Sequence, residues 1–390
     1  MAEFETVIAG AGIAGLTAAL LLARSGRRVS VFERTAVHYE VGAGLQISPN
    51  AGRILEHLGL GAALDAVAVR PVAIDIYSAT HPRPIVSLPL TGSAQRNGGI
   101  YRVVHRADLQ AVLLAAVHRD PTIELALAAP LADLEPTPEG VSFSIAGRRH
   151  RARLMIGADG IGSVVRPVID PSWNAAPARR TAWRTTIPAA DAPADLARDR
   201  VSVFLNDRSH VVVYPIRSGR EINIVAIVEE DWEGEGWAEP GDPAAIVARF
   251  RTAPTLLADI IAAGVNWTRW CLRAVEPSGR WHSDHAVLIG DSAHAMLPFL
   301  AQGAAMAIED AAILARCLTR QPDDIEGALA QYESLRKPRV TRVWRAARQN
   351  GVVYHMNPIA AAFRDATMKA LGGERLLARY DWLYGWKQNA

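Results

Sequence analysis

Three glycines and one acidic residue near the start of the chain form a pattern that suits phosphate binding. The run Gly10-Ala-Gly12-Ile-Ala-Gly15 follows an apolar stretch, and Glu33 lies eighteen residues after Gly15. Gly10 permits a tight turn, Gly12 lets the backbone approach a pyrophosphate, and Gly15 allows a helix to pack closely on a strand. The helix N-terminus favours negative charge, and Glu33 can accept hydrogen bonds from a ribose diol. These residues predict a site for FAD or NAD, because Glu33 would repel the 2′-phosphate of NADP.

Two later segments favour FAD over NAD, since a simple NAD dehydrogenase does not need them. Each is an apolar strand that ends in a glycine-aspartate turn, the first at Asp159 and the second at Asp291. The carboxylate of Asp291 is suited to bind a ribityl hydroxyl. The run that begins at Gly303 starts a helix whose small residues let backbone N–H groups approach a flat ring, and that helix end favours negative charge on a reduced flavin. For both aspartates the alternative is a strand-end turn with its own backbone hydrogen bonds.

The three segments together resemble the group A flavoprotein aromatic hydroxylases, whose fold is that of 4-hydroxybenzoate hydroxylase. The resemblance extends over nearly the whole chain. Within the group the sequence is similar to salicylate hydroxylase and 3-hydroxybenzoate 6-hydroxylase, and more loosely to 6-hydroxynicotinate 3-monooxygenase. The other shared stretches are Gly42–Asn50, His105–Leu109, His210–Pro215 and Asp381–Gly385.

This resemblance implies FAD as the cofactor and NADH or NADPH as a co-substrate, which would bind transiently because no second glycine-rich nucleotide fold follows. It implies that Arg106 and Asp159 lie on the pyrophosphate side of FAD, and a surface salt bridge is the alternative for Arg106. Arg166 is equally compatible with a cofactor role and with a solvated partner for Asp159. The predicted cofactor-binding set is Gly10, Gly12, Ala14, Gly15, Glu33, Arg34, Gly44, Leu45, Arg106, Asp159, Asp291, Pro298, Gly303 and Ala304.

Hydroxylation of a phenol by a flavin enzyme requires the protein to exclude water, to hold the target carbon within reach and to accept the phenolic proton. A histidine suits the last task. His210 and Tyr214 are four residues apart in a β-rich stretch, so both side chains point to the same face of a strand. The resemblance places this pair beside the substrate, with His210 as base or hydrogen-bond partner of the phenol and Tyr214 as orienter. These are the predicted catalytic residues, and a solvated sheet face is the alternative.

The resemblance also implies a substrate class: a small phenolic acid that is hydroxylated with O2 through a flavin hydroperoxide. The run His294-Ala-Met-Leu-Pro298 also occurs in salicylate hydroxylases and favours a salicylate-like hydroxybenzoate. Gln46 stands where the hydroxynicotinate enzyme has a histidine, which disfavours a pyridine substrate. The alternatives are 3-hydroxybenzoate, a hydroxylated pyridine carboxylate, and a flavin oxidoreductase of the same fold that does not hydroxylate. His294 itself is expected to stabilise its loop.

The elements that must position these residues change in type along the chain. A strand, helix and strand are predicted over residues 5–33, with the helix at 14–24. Periodicity predicts further strands at 73–77, 141–145, 201–204, 211–215 and 222–228, and helices at 243–263, 303–318, 324–335 and 340–349, whereas residues 175–178 predict a loop.

An α/β start, a β-rich middle and a helical end favour an interrupted nucleotide-binding domain. With the resemblance, the predicted fold class is α/β: an FAD-binding Rossmann-like domain of the 4-hydroxybenzoate hydroxylase type, with an inserted β-sheet substrate domain and C-terminal helices. We place the FAD-binding domain with its C-terminal helices at residues 1–71, 98–172 and 276–390. The substrate-binding β-sheet domain occupies residues 72–97 and 173–275.

Composition restricts the partners. The chain has 390 residues, half of them apolar, with 42 basic against 40 acidic residues and no long run of one sign. Nucleic acid and anionic membranes are therefore poor candidates, and a small molecule fits better. Cys271 and Cys317 lack CxxC spacing and predict two core thiols, with no disulfide and no metal site. Only Met-Ala-Glu-Phe precedes the first strand, and the apolar stretch 16–23 is too short to span a bilayer, so we expect a cytoplasmic monomer or homodimer.

Overall fold

The computed structural model describes residues 2–36, 44–78, 81–173, 175–234 and 236–388, and all structural statements below concern these ranges. Gly42 and Ala43, at the start of one stretch shared with the aromatic hydroxylases, lie outside them. In chain order the strands are β1 Ala2–Ala9, β2 Val29–Phe32, β3 Gly44–Ile47, β4 Ala73–Ser78, β5 Pro84–Pro89, β6 Arg102–His105, β7 Ile123–Ala126, β8 Ala132–Thr137, β9 Gly140–Ile145, β10 Arg148–Gly157, β11 Ala176–Pro188, β12 Val201–Asn206, β13 Ser209–Ile216, β14 Glu221–Glu229, β15 Ala238–Pro240, β16 Thr268–Ala274 and β17 Ala286–Leu288.

Among the described residues, the helices in the first half of the chain connect strands, and the last helices come after the final strand. In chain order they are α1 Ile13–Arg24, α2 Pro49–His57, α3 Gly61–Val67, α4 Ser93–Asn97, α5 Arg106–Val117, α6 Arg166–Ile169, α7 Pro243–Arg249, α8 Thr255–Ala263, α9 Asp291–His294, α10 Gly303–Arg320, α11 Ile325–Tyr354, α12 Pro358–Ala378 and α13 Asp381–Tyr384.

The first sheet has the strand order β7-β2-β1-β10-β9-β8, and β17 pairs with β10. Its strands β7, β2, β1, β10 and β17 run parallel, whereas β9 and β8 are antiparallel additions. Because parallel strands end at the same edge, the residues that follow β1, β2, β10 and β17 lie near one another. Ligands of open α/β sheets bind at this carboxyl edge. The turns that carry Gly10, Glu33, Asp159 and Asp291 all follow these four strands.

The second sheet has eight strands in the order β15-β16-β11-β14-β13-β12-β4-β5. All of its pairings are antiparallel except that between β12 and β4. One face of β13 carries Val211 and Val213, which belong to an apolar core with Phe204 and Trp267. The opposite face carries His210, Val212 and Tyr214, which line cavities. The prediction that His210 and Tyr214 share one strand face is confirmed.

Helix α1 shows why the βαβ unit folds as it does. Ten of its twelve residues are buried, so it is apolar on all sides and packs between the first sheet and neighbouring helices. Gly26, which has a φ of 86°, follows the helix and donates to the carbonyl of Ala23, as a glycine after a helix end commonly does. The predicted strand, helix and strand are confirmed, as are Cys271 and Cys317 as buried free thiols.

Three local predictions are wrong, each for a reason that involves proline. The helix predicted at 243–263 is two helices, because Pro254 disfavours helical geometry in the residue before it. The two helices predicted on either side of Pro338 are the single helix α11, whose buried residues outweigh the loss of one hydrogen bond. The loop predicted at residues 175–178 lies mostly in β11, where Pro177 precedes a register shift, a position at which a sheet tolerates proline.

The fold class predicted from the sequence is confirmed: a Rossmann-like α/β unit, a large second sheet and C-terminal helices. All strands of the second sheet lie within residues 72–97 and 173–275. The division of the chain into two domains at those boundaries stays a prediction. In the part of the chain that the structure describes, no helix combines the length and apolar character needed to cross a membrane.

Candidate active site

The glycine-rich turn after β1 gives each of its three glycines a different environment. Gly10 has a φ of 99°, and a Cβ at this position would lie 2.6 Å from the carbonyl oxygen of Ala158. A Cβ on Gly15 would overlap the carbonyl oxygen of Gly10, so only glycine allows α1 to approach the turn. A Cβ on Gly12 would have no atom within 4 Å. The turn is thus closed on its inner side and open at Gly12.

Glu33 secures this turn from the end of β2. One carboxylate oxygen accepts a hydrogen bond from the backbone N–H of Ala11 at 2.9 Å, and the other accepts from the N–H and the hydroxyl of Thr35. Arg34 is exposed beside it. Gly10, Gly15 and Glu33 therefore shape the turn, and neither these residues nor Arg34 line the cavities described next.

A cavity of about 250 Å³, here called the glycine-lined cavity, opens beside Gly12 and Gly303. A Cβ on Gly303, the first residue of α10, would also meet no atom within 4 Å. The cavity brings together most of the residues predicted to bind a cofactor, from five separate segments. Those that line it are Gly12, Ala14, Gly44, Leu45, Arg106, Asp291, Pro298, Gly303 and Ala304, together with His210 and Tyr214.

Asp159 does not line this cavity. Its Oδ2 accepts hydrogen bonds from the N–H groups of Val164 and Val165, at 2.7 and 3.4 Å, which is the strand-end turn considered as the alternative. Burial raises the pKa of Asp159 above its ordinary value. Arg166 is nearly fully buried and, rather than pairing with Asp159 in solvent, donates to the carbonyls of Ser292 and Asp291 at 2.7 and 3.3 Å. Arg166 thereby joins the two aspartate turns.

A buried ionic cluster holds the loop before Pro298. Asp310 of α10 accepts hydrogen bonds from His294 Nε2 at 2.5 Å, from the N–H of Gly290 at 2.9 Å and from Arg336 Nε at 2.7 Å. Arg336 also donates to Glu309 at 2.6 Å. Burial alone would raise the pKa of Asp310, but the charges of His294 and Arg336 lower it to about 2. The expectation that His294 stabilises its loop is confirmed.

Replacing Asp310 with asparagine will destabilise the protein. The amide would present an N–H group to His294, Gly290 or Arg336, all of which donate to Asp310, and a buried guanidinium would lose an anionic partner. Breaking a buried ion pair costs about 3–5 kcal/mol. We expect a loss of this order in the free energy of unfolding, measured by urea titration. Asp323→Asn, at an exposed position, is the control and should leave stability unchanged. Equal stability of the two variants would contradict this account of the cluster.

A second cavity, of about 300 Å³, lies on the other side of His210 and is here called the tyrosine-lined cavity. Its walls include Ile74, Val201, Val203, Tyr101, Asn350, Tyr354, Tyr380 and Tyr384. The two cavities share a wall formed by Gln46, His210, Val212, Pro298 and Ala301. A molecule in the tyrosine-lined cavity would therefore face a molecule in the glycine-lined cavity across His210.

His210 is buried, with one ring nitrogen already in use. Its Nδ1 lies 2.8 Å from Nε2 of His355, at the C-terminal end of α11. Burial, the neighbouring His355 and Arg180 lower the pKa of His210 well below its ordinary value. His210 is therefore neutral near pH 7, and in the tautomer whose Nδ1–H donates to His355 Nε2, the other nitrogen, Nε2, can accept a proton. Nearby, the hydroxyl of Tyr101 donates to Gln46 Oε1 at 2.6 Å.

Tyr214 lines the glycine-lined cavity but not the tyrosine-lined cavity. A Cβ on Gly44 would lie 2.5 Å from its ring, so the tyrosine packs directly on β3. The N–H of Gly44 donates to Asn223 Oδ1 at 2.8 Å. Burial raises the pKa of Tyr214. His210 and Tyr214 both line the glycine-lined cavity, and of the two His210 also lines the tyrosine-lined cavity.

Sequence reasoning missed Tyr101, Asn350, Tyr354 and His355. Asn350, Tyr354 and His355 lie in or directly after a long helix that carries no motif, more than a hundred residues from His210 in the sequence. No local spacing connects them. The shared stretch Asp381–Gly385 gave a partial signal, because Tyr384 within it lines the tyrosine-lined cavity.

Comparison with known proteins gives a family match and similar relatives over nearly the whole chain. Residues 3–347 match the model of the FAD-binding-domain family. The chain is 32% identical to 3-hydroxybenzoate 6-hydroxylase of Klebsiella oxytoca, over 99% of this chain and 97% of the relative. It is 35% identical to 3-amino-4-hydroxybenzoate 2-monooxygenase of Streptomyces cremeus, over 98% and 95%.

Solved structures resemble the whole chain. HpxO of Klebsiella pneumoniae, complexed with FAD and uric acid, has a TM-score of 0.84 and 25% identity, and the match covers 98% of this chain and 96% of that one. A salicylate hydroxylase substrate complex has the same fold, with a TM-score of 0.84 at 24% identity over 100% and 97% of the two chains. With the family match and the relatives above 30% identity, these findings establish the class: the chain belongs to the group A FAD-dependent aromatic hydroxylases, and it is an FAD-dependent monooxygenase.

Proposed function

We propose that this enzyme hydroxylates a small phenolic acid of the hydroxybenzoate type with NAD(P)H and O2, and that the substrate binds in the tyrosine-lined cavity. The observation that carries this proposal is the shared wall between the two cavities. His210 lines both, so a phenol in one cavity would contact the same side chain that borders the cofactor region. Proximity of the reacting groups is the main requirement of such a reaction.

FAD fits the glycine-lined cavity by the chemistry of its lining. The open positions at Gly12 and Gly303 give space where backbone N–H groups can approach the pyrophosphate and the flavin ring. Gly303 begins an eighteen-residue helix, whose N-terminal end favours negative charge on the ring. Asp291 and Arg106 supply a carboxylate for the ribityl chain and a cation for the phosphates. When bound, FAD accepts electrons from NAD(P)H and activates O2.

His210 accepts the phenolic proton in this proposal. Removing that proton makes the ring more nucleophilic, which hydroxylation requires. The imidazole is neutral near pH 7 because its pKa is low. Its Nδ1 is hydrogen-bonded to His355, so Nε2 is the nitrogen that accepts the phenolic proton. Tyr214 would then act on the cofactor side, by holding β3 against the flavin, rather than as the orienter of the substrate.

The lining of the tyrosine-lined cavity suits a monoanion. Among the described residues no aspartate or glutamate lines it, and its cationic side chain is Arg379. Apolar walls from β4 and β12 suit the face of a benzene ring, while Gln46, Tyr101 and Asn350 offer hydrogen bonds. Salicylate is one candidate substrate, because the run from His294 to Pro298 also occurs in salicylate hydroxylases. 3-Hydroxybenzoate is a second, favoured by relatives of that activity at 32–34% identity over nearly the whole chain.

Substrate-stimulated oxidation of the nicotinamide tests the proposal. The FAD-loaded enzyme is mixed with NADH or NADPH and with salicylate, 3-hydroxybenzoate or 4-hydroxybenzoate, and the products are identified by mass. We expect one of the three acids to stimulate oxidation strongly. Salicylate converted to catechol indicates a decarboxylating hydroxylase, and 3-hydroxybenzoate converted to gentisate indicates attack at the para carbon. If none stimulates oxidation, the phenolic-acid proposal is wrong and an oxidoreductase that does not hydroxylate becomes the better account.

A further inference from the structure

A second histidine, His355, stands directly behind His210. The Nδ1 of His210 and the Nε2 of His355 are 2.8 Å apart, and the two ring centroids are 5.1 Å apart. The residues come from different elements, the strand β13 and the C-terminal end of α11. Among the described residues that line the two cavities His355 is absent, so it would act on a bound substrate through His210.

Aromatic rings shield this pair from solvent. Phe299 packs against both imidazoles, with ring centroids 5.3 and 5.5 Å away, and Tyr354 packs against His210 at 5.2 Å. Only 9% of His355 is exposed. Its Nδ1 is buried and has no hydrogen-bond partner among the described residues. A buried ring nitrogen is rarely left without a partner, so an ordered water molecule is expected at this point.

We propose that His210 and His355 form a two-histidine relay that carries the phenolic proton from the substrate to solvent. The proposal rests on the proposed function. The phenolic O–H bond breaks and its proton binds Nε2 of His210. The proton on Nδ1 of His210 passes to Nε2 of His355, and the proton on Nδ1 of His355 leaves to water. One proton is transferred in total, no electrons move, and both rings end as the opposite tautomer.

The charges around the two histidines keep both rings neutral, which favours transfer of the proton through them. The titratable and charged groups that act on His355 are His210 on β13, Arg180 on β11 and Arg249 on α7. Burial, Arg180 and Arg249 lower the pKa of His355 to about 4. Arg180 is itself paired with Glu229 at 2.7 Å. Neither imidazole therefore holds a second proton near pH 7, so a ring that takes a proton from a phenol must release its other proton.

The backbone holds His355 in place independently of its ring. The N–H of His355 donates to the carbonyl of Gly351 at 3.2 Å, and its carbonyl accepts from the N–H of Arg208 at 3.4 Å. Arg364 donates to the carbonyl of Val353 at 3.0 Å. Substitution of the ring should therefore leave the end of α11 in position, which makes variants of His355 usable as tests.

The test compares His355→Gln and His355→Phe with the wild-type enzyme, all loaded with FAD. Glutamine keeps a hydrogen-bonding group near His210 but cannot shift a proton between two nitrogens, and phenylalanine keeps only the packing. Stopped-flow absorbance follows the ionisation of bound 3-hydroxybenzoate or salicylate between pH 6 and 9, and steady-state rates give kcat and KM. FAD content and circular dichroism report on folding.

We expect ionisation of the bound phenol to slow at least about tenfold in both variants, with KM changed less than about threefold. Added imidazole should restore part of the rate, and the rate should become more dependent on pH. Wild-type ionisation rates in both variants would overturn the relay. So would a glutamine variant with a wild-type rate and pH profile, because His355 would then only hold His210 in place. If the wild-type enzyme ionises and hydroxylates neither acid, the proposed function fails, and the relay fails with it.

Discussion

Replacing His210 with asparagine is expected to lower the rate of hydroxylated product formation about 100-fold, since general-base catalysis by a positioned side chain typically contributes 100-fold or more. Asparagine retains a hydrogen-bonding side chain on the shared wall of the two cavities but cannot accept the phenolic proton. NAD(P)H oxidation should fall less than product formation, with the difference released as hydrogen peroxide. The measurement is product per nicotinamide oxidised, by chromatography and absorbance.

The control for this variant is His81→Asn, which changes an exposed histidine that lines neither cavity. It should keep the wild-type ratio of product to nicotinamide. Both proteins should contain the same amount of FAD, because His210 borders the cofactor region without belonging to the glycine turns. If the His210 variant forms product at the wild-type rate, the assignment of the base is wrong.

Replacing Gly12 with alanine is expected to weaken FAD binding on the order of 100-fold, which corresponds to about 2.7 kcal/mol. The φ of Gly12 is −76°, a value that alanine adopts easily, and the new Cβ would meet no protein atom within 4 Å. The protein should therefore fold normally. The methyl group would instead occupy the space into which the proposal places the pyrophosphate. Titration of the apoprotein with FAD, followed by flavin fluorescence, measures the change.

Gly61→Ala is the matched control. Gly61 is the first residue of α3, and Gly12 is the residue directly before α1, so both glycines lie at a helix start. A Cβ on Gly61 would make only an ordinary contact, at 3.5 Å, with Glu56. Its affinity for FAD should equal that of the wild type. Equal FAD affinity in the Gly12 variant would mean that the pyrophosphate does not approach this turn, and the glycine-lined cavity would need another ligand.

The sequence was sufficient for the parts of the site that follow from local chemistry. The turn after β1 could be predicted because Gly10 permits its tight geometry, Gly15 permits close packing of α1, and Gly12 leaves its outer side open. The shared face of His210 and Tyr214 followed from the period of a strand. The same period could not reveal that Tyr214 packs on Gly44 while His210 reaches the second cavity, because that depends on what lies opposite the strand.

The positions of His355 and of the ionic cluster depend on long-range packing, which the sequence does not reveal. His355 meets His210 only because α11 continues through Pro338 and ends beside β13, and helix propensity alone argued for a break at that proline. The cluster of Asp310 and Arg336 joins residues twenty-six apart and anchors that helix. Tertiary interactions of this kind override local preference, and they have no signature in a single sequence.

The most direct test of the central claim is to run the reaction under isotopically labelled O2. The FAD-loaded enzyme, NAD(P)H and the hydroxybenzoate that stimulates oxidation are mixed under 18O2, and the product is analysed by mass spectrometry. We predict a product that carries one 18O atom in a new ring hydroxyl. Oxidation of NAD(P)H that yields only hydrogen peroxide with every acid, or a product whose new oxygen comes from water, would contradict the account.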